Sequence, residues 1–143
     1  MTVKQFEGEY RFLSNFYEVT PYMQIDGKYW LTVEHYFQAM KTLDSAEQER
    51  IRMAMTPGHA KRLGRTVHLR NDWEQVKEVV MLKALRVKFE NPELRQKLLD
   101  TNSDVLEEGN TWNDRYWGKD LNTGVGHNRL GNLLMQVRAE LKD

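Results

Sequence analysis

Tyr22-Met-Gln-Ile-Asp-Gly-Lys-Tyr-Trp-Leu31 runs directly into Thr32-Val-Glu-His-Tyr-Phe-Gln-Ala-Met-Lys-Thr42, and the junction between these stretches decides the fold. In the first, Asp26-Gly27 separates two short strand-forming segments, Tyr22–Ile25 and Lys28–Leu31. A type I′ turn needs positive φ at both central positions, which Asp-Gly tolerates, so the spacing predicts an antiparallel hairpin. In the second, the apolar period lengthens. Val33, Phe37 and Met40 recur at i, i+4 and i+7, the stripe of an amphipathic helix. Thr32 can accept a hydrogen bond from the first turn, and Glu34 sits where the helix dipole favours an acid. The expectation is a hairpin packed on a helix from Thr32 to about Thr42, with Phe37 and Met40 in the core and Glu34 at a cleft.

Upstream, Phe12-Leu-Ser-Asn-Phe-Tyr17 mixes turn formers with aromatics and reads as an ordered loop. Downstream, helices dominate. Ser45-x-x-Gln48 predicts a capping box for a second helix to about Met55. Thr56-Pro57 opens a third, with Gly64 just past its end. Asp72-x-x-Gln75 opens a long helix to about Phe89, and Asn91-Pro92 opens another to about Leu99. A loop from Glu108 to Gly126, rich in Gly, Asn, Asp and Trp, leads to a last helix striped by Leu130, Leu133, Leu134, Val137 and Leu141. The fold class is α+β: a mainly helical single domain over residues 1–143 with one small N-terminal antiparallel sheet. Strands that come early and do not alternate with helices argue against a doubly wound or macrodomain layout.

Composition narrows the function. The 143 residues contain no cysteine, which removes disulfides, thiolate metal sites and cysteine nucleophiles. Lys+Arg and Asp+Glu are both 21, so no global basic field holds bare nucleic acid. The N-terminus shows no charged segment followed by an apolar one, and no stretch approaches the roughly 20 apolar residues of a membrane span. These features predict a soluble cytoplasmic protein. Ten of the fifteen aromatic residues lie between Phe6 and Phe37, dense enough for a core or for a wall on which a planar base stacks.

Three segments carry chemistry. On the Thr32 helix, Glu34, Gln38 and Lys41 fall at i, i+4 and i+7 and share one face, with about 10 Å along the axis between the outer two. A carboxylate there can stabilise an oxocarbenium ion or activate water, and a lysine of lowered pKa can form a Schiff base with an opened sugar. The same spacing also describes a solvated helix face. The loop Gly109-Asn-Thr-Trp-Asn-Asp-Arg-Tyr-Trp-Gly118 offers Asp114 as an acid or base or a ribose contact, and Trp117 as a stacking surface. Tryptophans plugging the core are the alternative. Gly124-Val-Gly-His-Asn128 precedes the last helix, where a phosphate can approach free backbone N–H groups, although a plain turn has the same composition. Arg65 can clamp a phosphate through two N–H donors. His35, His59, His68 and His127 show no metal-ligand spacing, so neither a metal nor a cofactor is expected.

These segments, in this order, resemble the NADAR (YbiA-like) family. The matching stretches are Phe12-Leu-Ser-Asn-Phe-Tyr17, Glu34-His-Tyr-Phe-Gln-Ala-Met-Lys41, Gly64-Arg65, Trp73-x3-Lys77-x3-Met81-x2-Ala-Leu85 and Lys88-Phe89. They continue with Asn113-Asp-Arg-Tyr-Trp-Gly118 and Gly126-His-Asn-Arg-Leu-Gly131 leading into Leu134-Met135. The resemblance covers nearly the whole chain, and the E-H-Y-F-Q-A-x-K block followed by D-x-Y-W-G and G-x-N-x-L-G is specific. It implies a YbiA-like fold and a hydrolase acting at an anomeric carbon bonded to nitrogen. It also implies catalytic roles for Glu34, Lys41, Asp114 and Trp117. Asn15, Phe16, Tyr36, Arg65, Gly118, Gly126 and Asn128 become substrate contacts. Gly109-Asn-Thr-Trp112 lies outside the matched pattern, so no role for Trp112 follows from it.

Two substrates fit the resemblance. Some members remove ADP-ribose from the guanine amino group of nucleic acid, reversing a DarT-type toxin. Others cleave ribosylamino intermediates of riboflavin synthesis. The shared partner is an ADP-ribose or ribose 5-phosphate unit, with ADP-ribosylated DNA or RNA as the macromolecular form. The first substrate is the favoured expectation. A non-catalytic ADP-ribose reader and a structural partner-binding protein are the other classes, and a reader has no need of Glu and Lys on one helix face.

Overall fold

The computed structural model describes residues 1–142. In chain order the elements are β1 (Thr2–Val3), a 3-10 helix (Gly8–Leu13), β2 (Met23–Ile25), β3 (Lys28–Trp30), α1 (Val33–Ala39), α2 (Ser45–Arg52), α3 (Pro57–Gly64) and α4 (Trp73–Lys88). They continue with α5 (Pro92–Leu99), β4 (Val105–Leu106), β5 (Gly109–Asn110), β6 (Lys119–Asp120) and α6 (Arg129–Leu141). The chain divides into two compact units, Asn15–Lys88 and Met1–Ser14 with the chain from Phe89 onward.

In the Asn15–Lys88 unit the hairpin forms in the expected register, Met23 opposite Trp30 and Ile25 opposite Lys28. Asp26 (φ 53°) and Gly27 (φ 80°) both take the left-handed conformation that the tight turn requires. The hairpin lies on α1 through Trp30, whose ring meets Tyr36 edge-on at 5.1 Å. Thr32 caps α1 by accepting from the His35 N–H at 3.1 Å. The helix then stops at Ala39, short of Thr42: the N–H groups of Lys41 and Thr42 donate three residues back, to Gln38 O and Ala39 O, and the carbonyls beyond accept from another segment. Lys41 O accepts from the Arg70 N–H at 2.7 Å, and Met40 O accepts from the Arg70 guanidinium at 3.4 Å. Met40 is consequently half-buried rather than core, whereas Phe37 is buried against Trp73 at 5.1 Å.

All seven residues of α1 are buried, so the helix has no solvated face. Other local expectations shift by a residue. Asp44, not Ser45, caps α2 by accepting from the Glu47 N–H at 2.9 Å, and Gln48 turns instead to the carbonyl of Thr42. Thr56 caps α3 as expected, with Pro57 first, but Gly64 is the last helical residue.

In the other unit Phe12 and Leu13 belong to the 3-10 helix rather than to a loop, and both are buried. Phe12 meets Phe89 edge-on at 6.5 Å. Asn91 caps α5 by accepting from the N–H groups of Glu93 and Leu94. On α6 Leu130, Leu133, Leu134 and Val137 are buried and Leu141 is half-buried. Beyond the hairpin there are two minimal parallel pairings, β1 with β4 and β5 with β6. Two-residue strands carry no readable alternation, so only the hairpin was legible in advance. No helix among the described residues is long and apolar enough to cross a membrane.

Two buried bases make stability depend on pH. His35 is fully buried, with Nδ1 2.7 Å from the Thr32 hydroxyl and Nε2 3.0 Å from the Ala54 carbonyl. The arrangement suits a neutral ring that donates from Nε2 and accepts at Nδ1, and burial holds its pKa below the ordinary 6.5. Lys88 is also fully buried, and burial lowers its pKa from 10.5 to about 7. A base with a depressed folded pKa leaves the unfolded chain holding more protons, so stability rises with pH. Lys88 stabilises above 10.5, and that contribution is lost as pH falls to about 7. The His35 contribution is present above 6.5 and lost as pH falls through the lower folded value. Calorimetric melting temperatures should therefore fall from pH 10 to 7 and again below 6.5, with Lys88→Met flattening the first slope only. Equal melting temperatures at pH 10 and 7 would contradict the assignment.

Candidate functional site

α1 presents Gln38 towards Gly64 of α3, with Glu34 one turn before it on the helix. Glu34 is 7% exposed, and its carboxylate accepts from the Gln38 amide at 2.6 Å. Its backbone N–H donates to the Asn15 carbonyl at 3.1 Å, which ties the preceding loop to the first turn of α1. Gln38 is 4% exposed, and its Oε1 has no hydrogen-bond partner. That oxygen faces Gly64 on α3, where an added Cβ would overlap it. The absence of a side chain at Gly64 therefore lets α3 approach α1 closely and seats the amide that holds Glu34.

Lys41 follows the helix, half-buried, with Nζ 5.7 Å from the centre of the Phe37 ring. Burial lowers its pKa below the usual lysine range, Glu34 opposes the shift, and the nearby cations Lys61 and Arg65 reinforce it. Arg65 caps the C-terminus of α3 and is exposed. Phe16 is 41% exposed, with the Lys61 ammonium 5.9 Å from its ring centre. The fold thus gathers Asn15, Glu34, Lys41 and Arg65, with Phe16 beside Lys61. Tyr36 points elsewhere: it is 3% exposed against Trp30, two residues from Glu34 and on another side of the helix.

The remaining candidates lie in the other unit. Asp114 closes a turn, its Oδ1 accepting from the N–H groups of Tyr116 at 3.2 Å and Trp117 at 3.0 Å. Its own backbone is held at both polar groups by the Asn110 side chain. Trp117 is half-buried, with Tyr116 edge-on at 4.9 Å. Gly118 is buried, and a Cβ there would overlap Glu108. Asn128 is buried with both ends of its amide engaged, Nδ2 donating to Leu106 O at 2.9 Å and Oδ1 accepting from the Glu108 N–H at 3.0 Å.

At the start of α6 the backbone N–H groups are engaged within the protein. Those of His127, Asn128, Arg129 and Leu130 donate to the carbonyls of Arg115, Gly118, Tyr116 and Trp117. Gly126, at φ 153°, lets this turn run against Gly118 and Lys119, where a Cβ would collide with backbone. The G-x-N pattern thus joins the D-x-Y-W-G loop to α6.

Two residues escaped the candidate set. Gln38 was visible on the polar face, but only burial shows it gripping Glu34. Lys61 stands four residues before Arg65 on a short helix, a spacing with no meaning until α3 is laid on α1. No group of three or more His, Asp or Glu side chains gathers among the described residues as a metal site would. Chemically, a buried carboxylate held by an amide can transfer protons, and a lysine of depressed pKa can supply a neutral amine.

The sequence model of the NADAR domain family matches residues 3–142. N-glycosidase YbiA of Escherichia coli (strain K12) is 52% identical over 122 residues, 83% of this chain and 75% of that protein. Its NMR structure superposes with a TM-score of 0.86 at 46% identity, covering 99% of this chain and 84% of that one. N-glycosidase Npun_R5314 of Nostoc punctiforme is 41% identical over 127 residues, 85% of this chain and 80% of that protein. Riboflavin biosynthesis protein VVA0006 of Vibrio vulnificus is 38% identical over 135 residues, 92% of this chain but 36% of that protein. Matched along nearly all its length by sequence and by fold, the chain belongs to the NADAR domain family and is an enzyme that hydrolyses N-glycosyl bonds.

Proposed function

We propose that the enzyme cleaves the bond between a phosphorylated ribose and a base nitrogen, its substrate being ADP-ribose attached to guanine in cytoplasmic DNA or RNA. The observation that carries the reading is the pairing of Glu34, buried and held by Gln38, with Lys41, whose pKa burial depresses. Glu34 as the acid delivers a proton to the ring oxygen of the ribose. The C1–O bond breaks and the electron pair of the base nitrogen forms the iminium at C1. The neutral Lys41 amine adds to C1, and the base leaves with a proton. Water activated by the Glu34 carboxylate then hydrolyses the lysine imine, and the sugar ring closes.

Arg65 contacts the phosphate, and Asn15 and Phe16 border the sugar. A second reading, hydrolysis of ribosylamino intermediates of riboflavin synthesis, is supported by the name of the Vibrio vulnificus relative. Parallel incubations distinguish the two. Release of ADP-ribose from ADP-ribosylated guanine DNA is the expected result. Turnover only of the riboflavin intermediates would replace the first reading by the second, and turnover of neither would overturn both.

A further inference from the structure

Lys41 lies past the end of α1, so the helix alone does not fix where its amine stands. The turn that carries it, residues 40–42, is held by two other segments. From the stretch after α3, Arg70 donates to the carbonyls of Lys41 and Met40, and Asp72 in turn accepts from the Arg70 guanidinium at 2.6 and 3.1 Å. From α2, the Gln48 amide donates to Thr42 O at 2.7 Å. Thr42 is fully buried, and its hydroxyl accepts from the Asp44 N–H at 3.1 Å while donating to Glu47 Oε1 at 2.6 Å.

Glu47, on α2, joins both segments to the turn. Its buried carboxylate also accepts from the His68 backbone N–H at 3.2 Å and from Nδ1 of the His68 ring at 3.1 Å. An ionised carboxylate only accepts, so Nδ1 carries the proton. The Thr42 hydroxyl first, and His68 with it, hold the Glu47 carboxyl below its ordinary range, so it stays ionised near neutral pH. Burying a carboxylate costs hydration that an apolar side chain would not lose. What the carboxylate adds is direction: donors from the turn and from the stretch after α3 converge on it and fix their places against α2.

We propose that Glu47 is a positioning residue for Lys41: acting through Thr42 and His68, it holds the turn in which the amine stands half-buried near Glu34. The inference rests on the functional reading above for what Lys41 does, and adds what keeps it there. Position and reactivity are linked. Burial is the largest influence on the Lys41 pKa and lowers it, Glu34 opposes it, and Lys61 and Arg65 reinforce it. A turn released from Glu47 lets the side chain swing into water, and with the loss of burial its pKa rises towards the usual lysine range.

Titrating Lys41 itself tests this without turnover. Acetic anhydride in trace amounts acylates neutral amines, and mass spectrometry of the Lys41 peptide against pH gives the midpoint. In wild-type enzyme the midpoint should lie below that of the exposed lysines. Glu47→Gln keeps the size but aims an amide NH2 or a lone carbonyl at donors that need two acceptors, and Thr42→Val removes the hydroxyl; both should raise the Lys41 midpoint. Thr42→Ser, which keeps the hydroxyl, should restore it. With ADP-ribosylated guanine DNA, Glu47→Gln and Thr42→Val should lose on the order of tenfold to a hundredfold in kcat with KM little changed, because a misplaced amine slows the step rather than the grip on substrate. Circular dichroism establishes that the variants are folded, and Thr42→Val carries the test should Glu47→Gln not fold. An unmoved Lys41 midpoint in the folded variants overturns the inference whatever happens to kcat. A raised midpoint, together with a Lys41→Arg enzyme that keeps its kcat, leaves Glu47 as the anchor of Lys41 and overturns the functional reading instead.

Discussion

Lys41→Arg should abolish turnover while leaving ADP-ribose binding within a fewfold of wild type. Arginine keeps the charge and much of the reach, but its guanidinium stays protonated and cannot act as a nucleophile. If Lys41 only contacts phosphate or ribose, the substitution is mild; if its amine joins the anomeric carbon, the loss is on the order of a thousandfold or more in kcat, with binding little changed. Such a split separates a transition-state role from uniform binding. A second measurement makes the distinction chemical. Borohydride added during turnover reduces an imine to a stable amine, so wild-type enzyme should gain the mass of the opened sugar on Lys41, and Lys41→Arg should gain nothing. Lys88 is the other lysine of depressed pKa, but it is completely buried and out of reach of a substrate, so it should remain unlabelled. Near-wild-type kcat in Lys41→Arg, or no adduct under borohydride, would leave Lys41 a mere contact and transfer the chemistry to the Glu34 carboxylate.

Gly64→Ala should lose both stability and activity, although the methyl group touches no substrate. An added Cβ overlaps Oε1 of Gln38 and lies 2.8 Å from its Cδ. Gln38 is buried and its amide nitrogen holds Glu34 at 2.6 Å, so the side chain cannot move away without releasing the carboxylate. Overpacking of this kind destabilises by about 1–3 kcal/mol. Displacing a proton-transfer group by about 1 Å lowers kcat on the order of a hundredfold. Gly58 in the same helix provides the control, because a Cβ there meets nothing nearer than 3.9 Å. Gly58→Ala should keep its activity, with a melting temperature equal to or slightly above wild type, since alanine suits a helix better than glycine. A Gly64→Ala enzyme with wild-type kcat would remove Gln38 and Gly64 from the support of Glu34. Gln38→Leu offers a direct complement: it retains the packing, removes the amide donor, and should reduce kcat with a smaller loss of stability.

Sequence alone determined the features whose physics is local. Asp26-Gly27 can form only a few turns, Thr32, Thr56 and Asn91 cap the helices they precede, and Pro57 and Pro92 start them. The leucine stripe of α6 has one face that must be buried. Glu34 and Gln38 were also legible together, because helical periodicity puts them on one side regardless of what covers it, whereas Lys41 lies past the helix end and comes near Glu34 through the turn that follows. Tertiary structure decided the rest. Whether that side is solvated or buried depends on α3, which lies more than fifteen residues downstream and whose approach depends on one missing side chain at Gly64. Tyr36 belongs to the same motif but faces Trp30, a placement set by the hairpin rather than by its position in the motif. Composition at the glycines before α6 cannot reveal a partner, and the N–H groups from His127 to Leu130 donate to carbonyls of the loop Arg115–Gly118. Lys61 acquires significance only from the helix crossing. Local backbone and periodic preferences act over a few residues and can be read from a string, whereas burial, and with it the lowering of the Lys41 pKa, depends on which distant segments exclude water.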